Sequence, residues 1–183
     1  MSKDPAERGV PLAAGSSAPA GGDGWNAAAS PFSAAGERRA DYGFHTVIPL
    51  RWSDFDMMGH VNNVQFMRFF EIAVVDFFRA HDVFPPSSTV TAFAAENMCR
   101  FLKPLNYPLH TVDCGMRVER LGGSSARFGF ALFRKEEEAP SAVGYWVHVF
   151  IDRQTLRTAP MPQQSRDVFT RYVNPSAWTM SGA

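Results

Sequence analysis

The chain has 183 residues, of which 45% are hydrophobic, and it carries 18 basic and 18 acidic residues. This length suits one globular domain with a sizeable core plus some additional chain. The lack of a basic surplus argues against nucleic acid or an anionic membrane surface as a partner. No segment of the sequence is long and apolar enough to predict a membrane span, and the N-terminal residues lack the apolar core of a secretory signal.

The two cysteines, Cys99 and Cys114, stand in separate strand-like segments. Their spacing is not typical of a metal site or of a redox motif. The simplest interpretation is a reduced, cytoplasmic compartment. The sequence leaves open whether the two thiols form a disulfide.

Residues 1–42 are rich in Ala, Gly, Ser and Pro and have no sustained hydrophobic period. Such a segment buries too little apolar surface to offset the entropy of ordering it, so we predict a flexible extension. Trp25 and Phe32 are unusual in a pure linker. They leave packing of the extension on a partner subunit as the alternative.

From Gly43 onward the pattern becomes regular. The segment HTVIPLRWSDF predicts a strand, and Pro49 in it predicts an edge position or a bulge because proline cannot donate to the ladder. The segment VQFMRFFEIAVVDFFRAH predicts a helix that ends before Pro85. Its polar residues form only a narrow stripe, so we expect protein to surround most of the helix.

Four further segments predict strands because they are rich in β-branched and aromatic residues: TVTAFAAENMCRFLKP, HTVDCGMRVERL, SSARFGFALFRKE and SAVGYWVHVFID. The segment RDVFTRYVN predicts a short surface helix. We therefore expect a domain over residues 43–175 and a tail over 176–183. The order of elements predicts an α+β fold in which a curved antiparallel β-sheet wraps around one long central helix. A dimer that continues the sheet would cover its exposed edge.

Polar residues are concentrated just before the predicted helix, in the segment RWSDFDMMGHVNN. Asn62 or Asn63 is a suitable N-cap, so the first-turn N–H groups and the helix dipole form a site for negative charge. Asp56 lies a short loop upstream, and Gly59 lets this loop turn tightly. Donors for an oxyanion beside a potential base or nucleophile are what acyl transfer requires.

Two other interpretations of this segment compete with catalysis. Asp and Asn residues before a helix are ordinary capping residues, and Asp54 would then simply hydrogen-bond the turn. Asp54, Asp56 and His60 also have side chains that bind metals. No further ligand cluster completes such a set in the sequence, so we expect no metal site.

The stretch RWSDFDMMGHVNNVQFMRFFE resembles the signature of hotdog-fold acyl-CoA thioesterases of the 4-hydroxybenzoyl-CoA thioesterase type. The resemblance continues more loosely through RFLKPLNYPLHTVDCGMRVERLGGSS and covers about residues 44–155. It implies the hotdog fold and a homodimer with a continuous sheet, paired into a dimer of dimers. It implies no separate cofactor, because coenzyme A is part of the substrate.

The resemblance also implies roles for individual residues. Asp56 matches the catalytic carboxylate, which acts as nucleophile or as general base toward water. Asn63 matches the position whose backbone N–H holds the thioester oxygen, and Gly59 lines the same loop. His60 and Asn62 match motif positions near the reacting centre, with roles in positioning or in organising solvent.

Coenzyme A carries phosphates that require cations or hydrogen-bond donors. The candidates near turns of the later strands are Arg100, Lys103, Arg120, Ser124, Ser125 and Arg127. Solvated surface charge is the alternative role for each. The sequence departs from the family at Leu121-Gly122-Gly123, where relatives often have a cation. Phe93, Met98 and Phe101 are candidates for an acyl channel, with core packing as the alternative.

The expected reaction converts acyl-CoA and water to a carboxylic acid and free CoA. An acyl-carrier-protein thioesterase and a hotdog module that binds acyl-CoA without hydrolysing it remain alternatives. A hotdog hydratase is a further one, although hydratases resemble D-x-x-x-x-H and Asp56 and His60 have one residue fewer between them. The sequence contains no G-x-S-x-G elbow, which argues against an α/β-hydrolase type of thioesterase.

Overall fold

The computed structural model describes residues 36–174. All the predicted strands and both predicted helices are present. The elements are β1 (Phe44–Pro49), α1 (Asn63–Ala80), β2 (Val90–Phe101), β3 (Thr111–Leu121), β4 (Ser125–Phe133), β5 (Ala142–Asp152) and α2 (Gln163–Thr170). Short 3-10 turns occur at Arg39–Asp41 and Trp52–Asp54.

The five strands form one antiparallel sheet in the order β1-β3-β4-β5-β2. Strands β1 and β2 are therefore its edges. The prediction from Pro49 is confirmed, because this residue ends the edge strand β1. Edge strands tolerate proline since one side of the strand has no ladder partner.

Helix α1 packs against the inner face of the sheet. The ring of Phe70 on α1 stacks on Phe130 of β4 with a centroid distance of 5.0 Å. A Cβ atom added at Gly144 of β5 would lie 2.6 Å from the Phe70 ring. The missing side chain at Gly144 thus lets the helix approach the sheet closely. The predicted α+β architecture, one long helix on an antiparallel sheet, is confirmed.

Burial of α1 is uneven around its circumference. The fully buried residues are Phe66, Phe69, Phe70, Ala73, Val74 and Phe77. Met67, Val75 and Phe78 are only half-buried, and Val64 is exposed. The sequence predicted that protein surrounds most of the helix. Within a single chain, the described residues bury one face of α1 and leave the rest half-buried or exposed.

The outer face of the sheet is covered partly by residues that precede β1. Tyr42 packs edge-on against Phe133 there, and Glu37 accepts two hydrogen bonds of 2.8 Å from the buried Arg117. Packing thus begins before Gly43, so the predicted extension over residues 1–42 is too long at its C-terminal end. The sequence analysis did not detect the pairing of Glu37 with Arg117, because these two residues are distant in the chain. The rest of the extension and the tail over 176–183 lie outside the described residues.

Helix α2 differs from its prediction in position and in burial. It begins at Gln163, ahead of the predicted segment, and Phe169 on it is fully buried. The Phe169 ring stacks on Phe77 of α1 at a centroid distance of 6.1 Å. The prediction of a surface helix is wrong. The apolar side chains of Val168 and Phe169 are buried and pack the short helix against the core. Within residues 36–174, no helix is long and apolar enough to cross a membrane.

Both cysteines are free thiols. Cys99 lies on β2 and Cys114 on β3, and strands β4 and β5 separate them in the sheet. Burial raises the pKa of Cys99 to about 12. The disulfide that the sequence left open is therefore absent from the described structure.

Candidate active site

The loop between the Trp52–Asp54 turn and α1 is held by its own backbone and by residues 105–107. The Asp56 N–H donates to the His60 carbonyl (2.8 Å), and the Gly59 N–H donates to the Asp56 carbonyl (3.1 Å). The Tyr107 N–H in turn donates to the Gly59 carbonyl (2.9 Å). Gly59 has a φ of +77°, which glycine adopts without steric cost. The loop is thus a defined turn and not an irregular excursion.

The Asp56 carboxylate is oriented by two backbone amides of this turn. Its Oδ1 accepts hydrogen bonds from Met58 N–H (2.8 Å) and His60 N–H (3.2 Å). Within residues 36–174, no hydrogen bond reaches its Oδ2. The side chain is half-buried. One oxygen therefore fixes the orientation of the carboxylate while the other is available to a ligand.

The N-terminus of α1 leaves one backbone donor unused. Asn62 is the N-cap, as one of the two predicted options, and its Oδ1 accepts from Val64 N–H (3.2 Å). Gln65 N–H donates to the Asn62 carbonyl (2.9 Å). Of the first three helical amides, only that of Asn63 has no partner among the described residues. An unpaired amide at a helix N-terminus, where the dipole is positive, favours a partial negative charge.

The carboxylate and the helix N-terminus face the same cleft. This cleft has a volume of about 490 Å³ and is lined by Asp56, His60, Asn62 and Asn63 together with Val61, Phe66 and residues 101–105. Four of the five predicted catalytic residues therefore line one space. Gly59 does not line it but shapes the turn that orients Asp56.

Asp54 has a different environment from Asp56. Its side chain is buried, accepts from Arg51 N–H (2.7 Å), and forms an ion pair with Arg68 of α1 at 2.8 Å. Asp54 thus holds the loop to the helix and does not face the cleft. In the described part of the chain, no group of three or more His, Cys, Asp or Glu residues is arranged to hold a metal ion.

The second wall of the cleft comes from the end of β2 and the residues after it. Phe101 packs edge-on against Phe66 with a centroid distance of 4.9 Å. Of the three candidates for an acyl channel, Phe101 lines the cleft, whereas Phe93 and Met98 do not. Met98 instead packs with the outer-face cluster around Tyr145. The sequence analysis missed Leu105 as a wall residue, since no local pattern links it to the loop before α1.

The six candidates for coenzyme A contacts do not form one cluster within a chain. Lys103 lines the cleft and is paired with Glu137, and Arg100 lies on β2 near that end. Ser125 instead pairs with Val149 of β5, whereas Phe101 pairs with Ala142 of the same strand. These two β5 positions are about 23 Å apart at the usual strand rise.

The candidates at the β3–β4 hairpin are thus remote from the cleft of their own chain. They are Arg120, Ser124, Ser125 and Arg127. Arg127 also has structural partners, because it donates to Glu119 (2.8 Å) and lies over the Tyr145 ring at 3.5 Å. The four residues could meet a ligand held at the cleft only if that ligand extended far along the sheet or contacted a second subunit.

Comparison with known proteins identifies the family. Residues 50–169 match the family model described as the thioesterase-like superfamily. The chain belongs to the thioesterase-like superfamily. The match includes the loop with Asp56, helix α1 and strands β2 to β5. It therefore covers the candidate active site.

Solved structures of similar proteins support this assignment. The PA5185 protein from Pseudomonas aeruginosa strain PAO1 is 31% identical, with 78% of this chain and 98% of that chain covered and a TM-score of 0.70. The PA2801 protein from Pseudomonas aeruginosa is 27% identical over 67% of this chain and 95% of that chain, with a TM-score of 0.62.

A third similar structure contains coenzyme A. It is a thioesterase from Thermus thermophilus complexed with coenzyme A and Zn, and it is 26% identical, with 72% of this chain and 95% of that chain covered and a TM-score of 0.60. The predicted hotdog fold and the resemblance to hotdog-fold thioesterases are thereby confirmed for this superfamily member.

Proposed function

We propose that this superfamily member is an acyl-CoA thioesterase, which converts acyl-CoA and water to a carboxylic acid and free CoA. One observation carries the proposal: the Asp56 carboxylate and the unpaired Asn63 amide line the same cleft. The similarity to a thioesterase complexed with coenzyme A supports coenzyme A as the carrier of the acyl group.

In the proposed reaction the thioester carbonyl oxygen accepts a hydrogen bond from Asn63 N–H. The helix dipole adds to this stabilisation as negative charge develops on the oxygen. Asp56 either attacks the carbonyl carbon or removes a proton from an attacking water molecule. The C–S bond then breaks, and the sulfur leaves as the CoA thiolate. If Asp56 is the attacking group, water then hydrolyses the resulting anhydride, which releases the carboxylic acid and restores the Asp56 carboxylate. A thiolate is a good leaving group, so the cleft requires no strong acid beside the sulfur.

The loop contributes to this chemistry by holding Asp56 in place. Hydrogen bonds from Met58 and His60 N–H to Oδ1 restrict rotation of the carboxylate. A fixed carboxylate needs less reorganisation during the reaction than a freely rotating one. His60 and Asn62 serve in this proposal to position the loop and the helix N-terminus, and neither transfers a proton.

The nucleotide of coenzyme A is proposed to approach the cleft beside Lys103. Lys103 lines the cleft and is paired with Glu137, so a phosphate would compete with this carboxylate for the ammonium group. We also propose a homodimer, paired into a dimer of dimers. The half-buried side chains of α1 and the edge strand β2 offer a surface for the contact between the two subunits of the homodimer.

A thiol-release assay over a panel of acyl-CoAs tests the proposal. Wild-type protein should hydrolyse at least one acyl group, and Asp56→Asn should lower kcat/KM by at least about 100-fold. Asp167→Asn, which changes an exposed aspartate on α2, is the matched control and should retain the wild-type rate. Wild-type turnover by the Asp56 variant would refute the assignment of Asp56.

Two further measurements separate the alternatives. Faster release from a carrier-bound acyl group than from the same acyl-CoA would identify an acyl-carrier-protein thioesterase. Binding of acyl-CoA without hydrolysis over long incubation would identify a binding module. A single turnover in isotopically labelled water distinguishes the two roles of Asp56, because label that first enters the Asp56 carboxylate requires a covalent intermediate.

A further inference from the structure

A second cavity lies at the other end of the space between α1 and the edge strand β2. It has a volume of about 530 Å³, within the range of small-molecule sites. Its inner walls include Val74 and Phe78 of α1, Phe84, and Ala92 of β2. The catalytic cleft contacts α1 at Asn63 and Phe66, and Asn63 lies about 22 Å along the helix axis from Phe78, whose ring packs beside His148.

His148 of β5 lines this cavity and is its distinctive feature. Its side chain is buried, with an exposed fraction of 5%, and Nδ1 has no hydrogen-bond partner in the described part of the chain. The imidazole is packed against aromatic rings, including those of Phe78 at 6.1 Å and Phe128 at 5.3 Å. Buried polar atoms are nearly always hydrogen-bonded in folded proteins, so the unpaired imidazole of this cavity-lining residue is suited to bond an oxygen atom of a ligand.

The strand carries a second unpaired polar atom next to His148 on the same face. The Trp146 ring lies 5.7 Å from the imidazole, and its Nε1 is buried without a partner among residues 36–174. An indole N–H only donates a hydrogen bond, whereas a neutral imidazole nitrogen donates or accepts. Trp146 does not line the cavity, so of these two residues His148 is the one placed to bond an oxygen atom there.

Electrostatics restricts the kind of oxygen that fits. Burial lowers the pKa of His148 to about 4, so its imidazole is uncharged at neutral pH. The charged residues that line the cavity are Glu71, Arg79 and Asp82, which together carry more negative than positive charge. A carboxylate or phosphate would be unfavourable there. A hydroxyl or a carbonyl on an otherwise apolar group suits the cavity better.

We propose that the second cavity receives the distal part of the acyl group. His148 then selects acyl groups that carry a hydroxyl or carbonyl oxygen at the chain position that reaches its imidazole. The inference rests on the proposed thioesterase function, which supplies the acyl-CoA. An acyl chain lying between α1 and β2 would connect the thioester at the cleft with the imidazole. The distance of about 22 Å along α1 between the Asn63 amide and Phe78 beside the imidazole requires a long acyl chain.

Matched substrates test this specificity. Hexadecanoyl-CoA is compared with its positional monohydroxy derivatives, using wild-type protein and His148→Phe, which keeps a ring but removes both nitrogens. The best hydroxylated substrate should exceed hexadecanoyl-CoA about tenfold in kcat/KM for wild type. His148→Phe should abolish this preference, so that kcat/KM differs by less than about twofold between the hydroxylated and the unsubstituted substrate.

Two variants control for indirect effects. His148→Asn retains a hydrogen-bonding group near the position of Nδ1 and should keep part of the preference. His110→Phe makes the same substitution at an exposed histidine and should keep all of it. If wild-type protein hydrolyses acyl-CoAs but prefers no hydroxylated isomer, the role of His148 is refuted while the thioesterase function stands.

Calorimetric binding of the free acids decides the case in which no acyl-CoA is hydrolysed. Wild-type protein should bind a hydroxyhexadecanoic acid more tightly than hexadecanoic acid, and His148→Phe should lose that difference. Equal affinities for the two acids would overturn the proposed ligand class, because the cavity would then hold only water or an unselected apolar chain.

Discussion

Asp54 and Asp56 are identical side chains separated by one residue, yet the fold gives them opposite environments. Asp54 is buried and paired with Arg68 of α1. Asp56 is half-buried, accepts hydrogen bonds from two amides of its own turn, and lines the cleft. The first therefore attaches the loop to the helix, and the second faces the space where a substrate would lie.

The comparison teaches that a carboxylate's role depends on what satisfies its oxygens. Both oxygens of Asp54 have partners, since Oδ1 binds Arg68 and Oδ2 accepts from Arg51 N–H. Among the described residues, only Oδ1 of Asp56 has partners. A carboxylate with one oriented and one available oxygen is suited to chemistry, and a fully paired one is suited to stability.

The largest expected effect on stability is at Asp54. Asp54→Asn removes the charge opposite Arg68, and we expect the free energy of unfolding to fall by about 2–3 kcal/mol because the pair is largely buried. Urea unfolding provides the measurement. Asp56→Asn is the control and should change stability by less than about 0.5 kcal/mol. Equal losses for both variants would contradict the division of roles.

A smaller effect is expected at the turn that orients Asp56. Gly59→Ala forces a left-handed backbone on alanine, at a cost of about 1–2 kcal/mol. The added Cβ has open space, so the cost is purely conformational. Gly123→Ala, also in open space, is the matched control. We further expect kcat/KM to fall for Gly59→Ala, since the turn supplies both amides that hold Asp56.

Gly59→Asn sharpens this test, because asparagine tolerates the left-handed region better than alanine does. Gly59→Asn should recover part of the stability and part of the kcat/KM that Gly59→Ala loses. An alanine variant with wild-type stability would show that the turn relaxes to another conformation without penalty.

The smallest of these effects is expected at the helix cap. Asn62→Ala removes the acceptor for Val64 N–H and should lower the free energy of unfolding by about 1 kcal/mol. Asn62→Asp keeps an acceptor oxygen and should retain most of the stability. Thermal unfolding followed by circular dichroism measures both variants. A larger loss for Asp than for Ala would contradict the capping role of this side chain.

Local patterns predicted much of the candidate site. The N-cap at Asn62, the turn at Gly59 and the carboxylate at Asp56 all lie within one short segment, so their arrangement depends on nearby backbone geometry. The wall formed by Phe101 and Leu105 could not be predicted in the same way. It comes from residues distant in the chain, and hydrogen bonds such as Val61 N–H to the Leu105 carbonyl bring it to the loop.

The coenzyme A candidates illustrate the limits of choosing residues by type. Cations and hydroxyls near turns were selected from the sequence, but only Lys103 among them lines the cleft. The register of the sheet puts Ser125 at the opposite end from Phe101. Arg127 is already occupied by Glu119 and Tyr145, which no local pattern could indicate.

The sequence by itself determined the class of fold, the order of its elements and the segment that carries the proposed chemistry, because hydrophobic period, turn residues and capping residues act over a few neighbouring positions. Tertiary structure alone decided which of two aspartates faces the cleft, which strand end closes it, and that His148 is buried beside a second cavity. These properties depend on strand order and on contacts between residues far apart in the chain, and the free energy of such contacts is absent from any local pattern.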